Sequence, residues 1–92
     1  MKDSDQTTNG AKAYELSGDK MMFYYHSGRV KAEGPYKNNL MEGEWRFFRE
    51  NGQLWQTGNF RNGEKEGRWV RFDQNGEVEY DETFRGGKVA RQ

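Results

Sequence analysis

No cysteine occurs among the 92 residues. Disulfides, thiolate metal sites and cysteine nucleophiles are therefore excluded, although the compartment is left open. Isoleucine is also missing, and Leu, Val and Phe together number only 13. With 32% hydrophobic residues and a mean hydropathy of −1.33, the composition approaches that of chains that do not fold. A chain this short also buries only a modest core. No apolar run approaches the length of a membrane span. The N-terminus shows no apolar signal-peptide core, which sets the expectation of a cytoplasmic protein. Net charge is lacking too, with 15 basic residues against 15 acidic ones. That balance argues against nucleic acid as a partner, and a membrane partner is not expected either.

Catalytic groupings are equally scarce. His26 is the only histidine and precedes Ser27-Gly28, so it reads as a surface turn residue. No second histidine or cysteine offers a metal cluster. Glu64 with Glu66, and Asp81 with Glu82, sit in polar stretches and read as solvated surface. Ser17 and Ser27 have no base beside them. Gly86-Gly87 lacks the strand-to-helix setting of a phosphate loop. Neither an enzyme nor a cofactor is expected.

What is present is aromatic, and it is periodic. Gly28, Gly52 and Gly76 lie 24 residues apart, and Gly34/Gly58 and Gly43/Gly67 keep the same interval. Aromatic columns run Tyr24, Phe48, Phe72; Tyr36, Phe60, Phe84; Phe23, Phe47; and Met21, Trp45, Trp69. Ten of the 14 aromatics fall in these columns, so the period is structural. A fixed repeat in the twenties signals an array of supersecondary units, and large rings can replace scarce aliphatics in a core. The units run over residues 20–43, 44–67 and 68–91, after a flexible polar tail over 1–12 and a short lead-in strand within 13–17.

Asn51-Gly52 and Asn75-Gly76 suit a two-residue type I′ turn, with Ser27-Gly28 a weaker version. Each unit is thus a β-hairpin, and Asn62-Gly63 and Gly86-Gly87 mark the loops between hairpins. The expected fold is all-β: three 24-residue hairpins in an elongated, twisted antiparallel meander of six or seven strands. A turn at Asn51-Gly52 pairs Phe48 with Trp55, Phe47 with Gln56 and Trp45 with Gly58. Trp45, Phe47, Leu54 and Phe60 then share the core face, with Trp45 covering bare Gly58. Arg46, Phe48, Trp55, Thr57 and Asn59 share the other. Glu82 in place of the glycine marks the last unit as a capping repeat.

The stretch EGEWRFFRENGQLWQTGNFRNGEKEG resembles the bacterial variant of the MORN repeat. The marks are Gly43-x-Trp45, Asn51-Gly52, Gly58-x-Phe60, Asn62-Gly63 and Gly67. The resemblance covers about residues 20–91 and implies an elongated antiparallel sheet, no cofactor, and a role in holding partners. Bacterial proteins built from this variant are often assigned as antitoxins of toxin–antitoxin pairs. Departures are Met21 for the first Trp, Asn39 for a loop glycine, and Glu82.

Candidate functional positions are those where a column is broken, since the fold does not dictate them. Trp55 stands where its equivalents are Lys31 and Glu79, and Tyr25 matches Arg49 and Asp73. Leu40 and Met41 also break their columns and are expected to touch the N-terminal segment. A half-exposed Trp55 beside Phe48 is a reasonable anchor for another protein. The partner-binding set is Trp55, Phe48, Arg46, Tyr24 and Tyr25, with self-association through edge strands a second expectation. Rival readings are a cell-wall or carbohydrate-binding repeat, which the aromatic hairpins also resemble, and a membrane-surface adaptor.

Overall fold

The computed structural model describes residues 13–90, so the tail expected over 1–12 lies outside the described residues. Among them there is no helix. Ten strands follow in order: β1 (Tyr14–Ser17), β2 (Lys20–Tyr24), β3 (Val30–Lys37), β4 (Leu40–Met41), β5 (Gly43–Phe48), β6 (Leu54–Arg61), β7 (Glu64–Lys65), β8 (Gly67–Phe72), β9 (Val78–Arg85) and β10 (Lys88–Val89). They form one open antiparallel sheet in the order β1-β2-β3-β5-β6-β8-β9-β10, with β4 on β3 and β7 on β6. The three expected hairpins are β2–β3, β5–β6 and β8–β9. The molecule is a slab of 48 × 35 × 19 Å.

The turn assignment needs correcting. At Asn51 the loop holds three residues, not two: Gly52 N donates to Arg49 O, and Arg49 N to Gln53 O. Only Gly52 has positive φ, at 95°. This is a type I turn closed by a left-handed glycine, and Gly28 and Gly76 repeat it. The type I′ turns lie instead in the supposed connecting loops. Asn38-Asn39, Asn62-Gly63 and Gly86-Gly87 all have both residues at positive φ, and each joins two paired strands. The connections are therefore small hairpins, which is why there are ten strands.

The register also departs at one point in each hairpin. Trp45 pairs with Gly58 and Phe47 with Gln56, as expected, but Phe48 pairs with Leu54 and Trp55 is an extra, bulged residue. Lys31 and Glu79 are bulged in the same way. The bulge moves Leu54 to the Phe48 side of the ladder, away from the predicted core face.

The core is a ladder of rings. Trp45 is fully buried and Trp69 nearly so. Phe60 meets Trp45 edge-on at 6.1 Å and Trp69 at 5.0 Å, and Phe47 bridges the two at 6.3 and 5.9 Å. Trp45 does not cover its cross-strand neighbour Gly58. It covers Gly34 of the preceding hairpin, and Trp69 covers Gly58. Trp45 Nε1 donates to Pro35 O at 2.8 Å and Trp69 Nε1 to Asn59 O at 2.9 Å. Each tryptophan thus belongs to the joint between units. The Glu82 departure follows from this, since among the described residues no further tryptophan lies over position 82.

Other joints repeat at the same or nearly the same offsets. Tyr25 Oη donates to Phe48 O (2.7 Å) and Arg49 Nη2 to Phe72 O (2.9 Å). Arg29 Nη1 reaches Asn51 O and Gln53 Nε2 reaches Gln74 O, each at 2.7 Å. Glu42 accepts from Asn62 N and Glu66 from Gly86 N. In the third unit Asp73 turns inward, accepting from Asn75 N and Glu77 N of its own turn.

Candidate functional site

The bulge decides where Trp55 goes. It lines an open hollow of 480 Å³ with Phe23, Tyr24, Tyr25, Phe47 and Phe48. That volume is within the range of ligand sites, roughly 300–1,000 Å³. The hollow lies across the joint of the first two hairpins, over the backbone of Ala32 and beside Met41. It exists because Ala32 is small. The equivalent positions are Gln56 and Tyr80, and there Arg71 fills the space between units two and three. Its Nε donates to Gln56 Oε1 at 3.2 Å, and its guanidinium lies 4.9 Å from the Tyr80 ring centroid and 5.5 Å from that of Trp55. The sequence reading missed Ala32, although its column (Ala32, Gln56, Tyr80) was legible as broken.

Four of the five expected residues meet here: Trp55, Phe48, Tyr24 and Tyr25. Trp55 does not pair with Phe48, as expected, but stands across the rim from it. Tyr25 is not free for function, because its hydroxyl carries the joint to Phe48 O; its ring still lines the hollow. Tyr24 Oη donates to Glu15 at 3.0 Å, and partial burial, then that bond, hold its pKa above the ordinary value. Both hydroxyls are committed, so the hollow presents rings more than hydrogen-bonding groups.

Arg46 is elsewhere. It pairs with Glu33 and Thr57 and lines a second hollow of 410 Å³ with Ser17, Asp19, Lys20, Glu33 and Glu44. That hollow is charged, and Lys20 and Glu33 are already paired there at 3.3 Å. We favour the aromatic hollow as the site, since its walls have nothing of their own to satisfy them. Leu40 reaches the turn at Gly63 of the next unit, while the tail within the N-terminal segment it was expected to touch lies outside the described residues.

Acid–base chemistry has little to work with. Among the described residues no group of three or more His, Asp or Glu is placed to hold a metal ion. Among the described residues the only shifted carboxylate is Asp81, held low mainly by the hydrogen bonds from Arg68.

The family model for the MORN repeat variant matches residues 20–38, 41–62 and 65–85. The chain belongs to the MORN repeat variant family. Neither a curated protein nor a solved structure is matched by this sequence. The three matched segments coincide with the three hairpins, each with its following type I′ turn or the approach to it. MORN repeats are binding modules, which accords with an open sheet that has an aromatic hollow at a joint between repeats.

Proposed function

We propose that this MORN repeat chain binds another protein without catalysing a reaction, using the aromatic hollow between its first two hairpins. The observation that carries the reading is the bulged Trp55, which leaves the internal ladder and lines an otherwise empty space over Ala32. Completing the burial of the half-buried Trp55 beside Phe48 and Tyr25 is the kind of contact that dominates interface energy. A carbohydrate would need hydroxyl and amide partners, and the two tyrosine hydroxyls here are already engaged. Neutralising a toxin by covering its surface is one form of protein binding, and it requires that the captured protein be toxic alone.

The test is affinity capture with three baits: wild type, Trp55→Ala and Ala32→Gln. The last fills the hollow with the side chain that the neighbouring unit already accommodates at Gln56. A protein held by the wild type and lost with both variants, at unchanged melting temperature, supports the reading. Capture that survives both variants sinks it. Glycan binding lost with Trp55→Ala would move the hollow to the carbohydrate reading.

A further inference from the structure

We infer that the three bulged residues, Lys31, Trp55 and Glu79, form one recognition row that reads an extended partner segment. That segment carries an acidic, a bulky apolar and a basic side chain about three residues apart. The inference rests on the reading of the hollow as a protein-binding site and names the chemistry of what enters it.

The row is geometric. Each residue occupies the same bulge in successive hairpins. Successive hairpins are two strands apart, about 10 Å at roughly 4.8 Å per strand. A chain crossing them in the polyproline II conformation covers that distance in about three residues, at roughly 3.1 Å each, and with three residues per turn it returns every third side chain to the same face. Continuity is visible in the walls: Lys31 and Trp55 both line the aromatic hollow, and Trp55 and Glu79 both line a polar notch on the far side of the indole.

The charges fix the partner's chemistry. Among the described residues, Lys31 is the only charged one lining the aromatic hollow. It is exposed, stands 5.7 Å from the Tyr25 ring centroid and forms no ion pair among the described residues. On the other side of Trp55 the sign reverses. Glu79, Asp73 and Arg49 line the notch there, with Arg49 bonded to Phe72 O, so the notch carries one more acidic than basic side chain. A carboxylate is therefore attracted at one end of the row and repelled at the other. By contrast, the opposite sheet face satisfies its own charges, Lys20 with Glu33 and Arg68 with Asp81.

The probe is a set of fluorescein-labelled peptides with Phe at the centre and one charged residue three positions to each side, spaced by Ser. The mixed peptide (Asp on one side, Lys on the other) is compared at low salt with all-Asp, all-Lys and all-Ser versions, by fluorescence anisotropy. The mixed peptide is expected to bind about three- to tenfold tighter than either like-charged one, from two exposed ion pairs. Either chain direction satisfies the row, so swapping the two ends is not a control. Lys31→Glu should make the all-Lys peptide the best ligand, and Glu79→Lys the all-Asp peptide. Trp55→Ala should abolish binding of all four. A ranking indifferent to charge, or unmoved by the two swaps, overturns the row, while loss with Trp55→Ala would leave the hollow standing. Absence of binding up to about 1 mM peptide also overturns the row; the hollow is judged separately by partner capture.

Discussion

Gly58→Ala tests the joint between units, because two effects of opposite sign compete there. In an ordinary strand, replacing Gly by Ala stabilises by about 0.5–1 kcal/mol through lost chain freedom in the unfolded state. Gly58 has no positive φ to forbid the change. Its added methyl, however, would sit inside the Trp69 indole. The ring cannot step aside cheaply: Phe60 meets it edge-on at 5.0 Å, Phe47 lies at 5.9 Å and Phe84 at 6.2 Å. Overpacking of this kind costs about 1–3 kcal/mol, and moving the ring stretches the Trp69 Nε1 bond to Asn59 O, worth about 1 kcal/mol. With the gain subtracted, the expected net loss is about 1–3.5 kcal/mol, a large share of what a small domain has. At about 4–8 °C per kcal/mol, thermal melts followed by circular dichroism should drop by about 4–28 °C. In a Trp69→Leu background the further cost of Gly58→Ala should fall below about 1 kcal/mol. A Gly58→Ala protein melting at or above wild type would refute the joint, as would an undiminished cost without the indole.

Acrylamide should quench about a third of the tryptophan emission, because Trp45 and Trp69 are 0% and 3% exposed while Trp55 is half-buried at the hollow; Trp55→Phe should abolish that fraction, and an unchanged quenchable fraction would place Trp55 inside the core. Asn62→Ala should cost about 1–2 kcal/mol, the penalty for a side chain without the local hydrogen-bonding option at positive φ, whereas Asn62→Gly, which escapes that penalty, should be near neutral in urea melts. Equal costs would take Asn62 out of the left-handed region. Asp81 titrates below its ordinary 3.8 because Arg68 hydrogen-bonds its carboxylate, so its contribution is present above that value and is lost as pH falls through the depressed folded pKa. Melting of Asp81→Asn and wild type should therefore differ only at neutral pH and low salt, and a gap that persists at pH 2 would contradict the assignment.

The period made the hairpins legible, because ring columns at a constant interval leave few other folds. Turn type was less legible, since Asn-Gly occurs in both kinds of turn: Asn51-Gly52 and Asn62-Gly63 are identical dipeptides in different conformations. What separates them is loop length, three residues against two, and one residue of length shifts every assumed pair beyond it. Hence Phe48 was matched to Trp55 and Leu54 placed on the wrong side, while Trp45–Gly58 and Phe47–Gln56, beyond the bulge, came out correctly. The joints were illegible for another reason. Gly34 is covered from the next repeat, so the glycine and tryptophan columns are visible but their partnership across units is not.

A broken column is not by itself a sign of freedom. Tyr25 and Arg49 share no side-chain chemistry, yet each donates to a backbone carbonyl 23 residues ahead, Phe48 O and Phe72 O. The acceptor is constant, so many donors serve and the column drifts. The bulge column is different in kind. The backbone requires an extra residue at 31, 55 and 79, but none of the three side chains bonds to a fixed acceptor in the next unit. Lys31 and Arg71 touch the rings of Tyr25 and Trp55 as cations over faces, contacts with loose geometry. A bulge re-aims a side chain out of the ladder, so substitution there spares the core that Trp45 and Trp69 build. The same device that ends regular pairing in each hairpin therefore supplies the positions where this repeat can change its partner without changing its fold, and Trp55 is the one of the three whose ring has the most to gain from being covered.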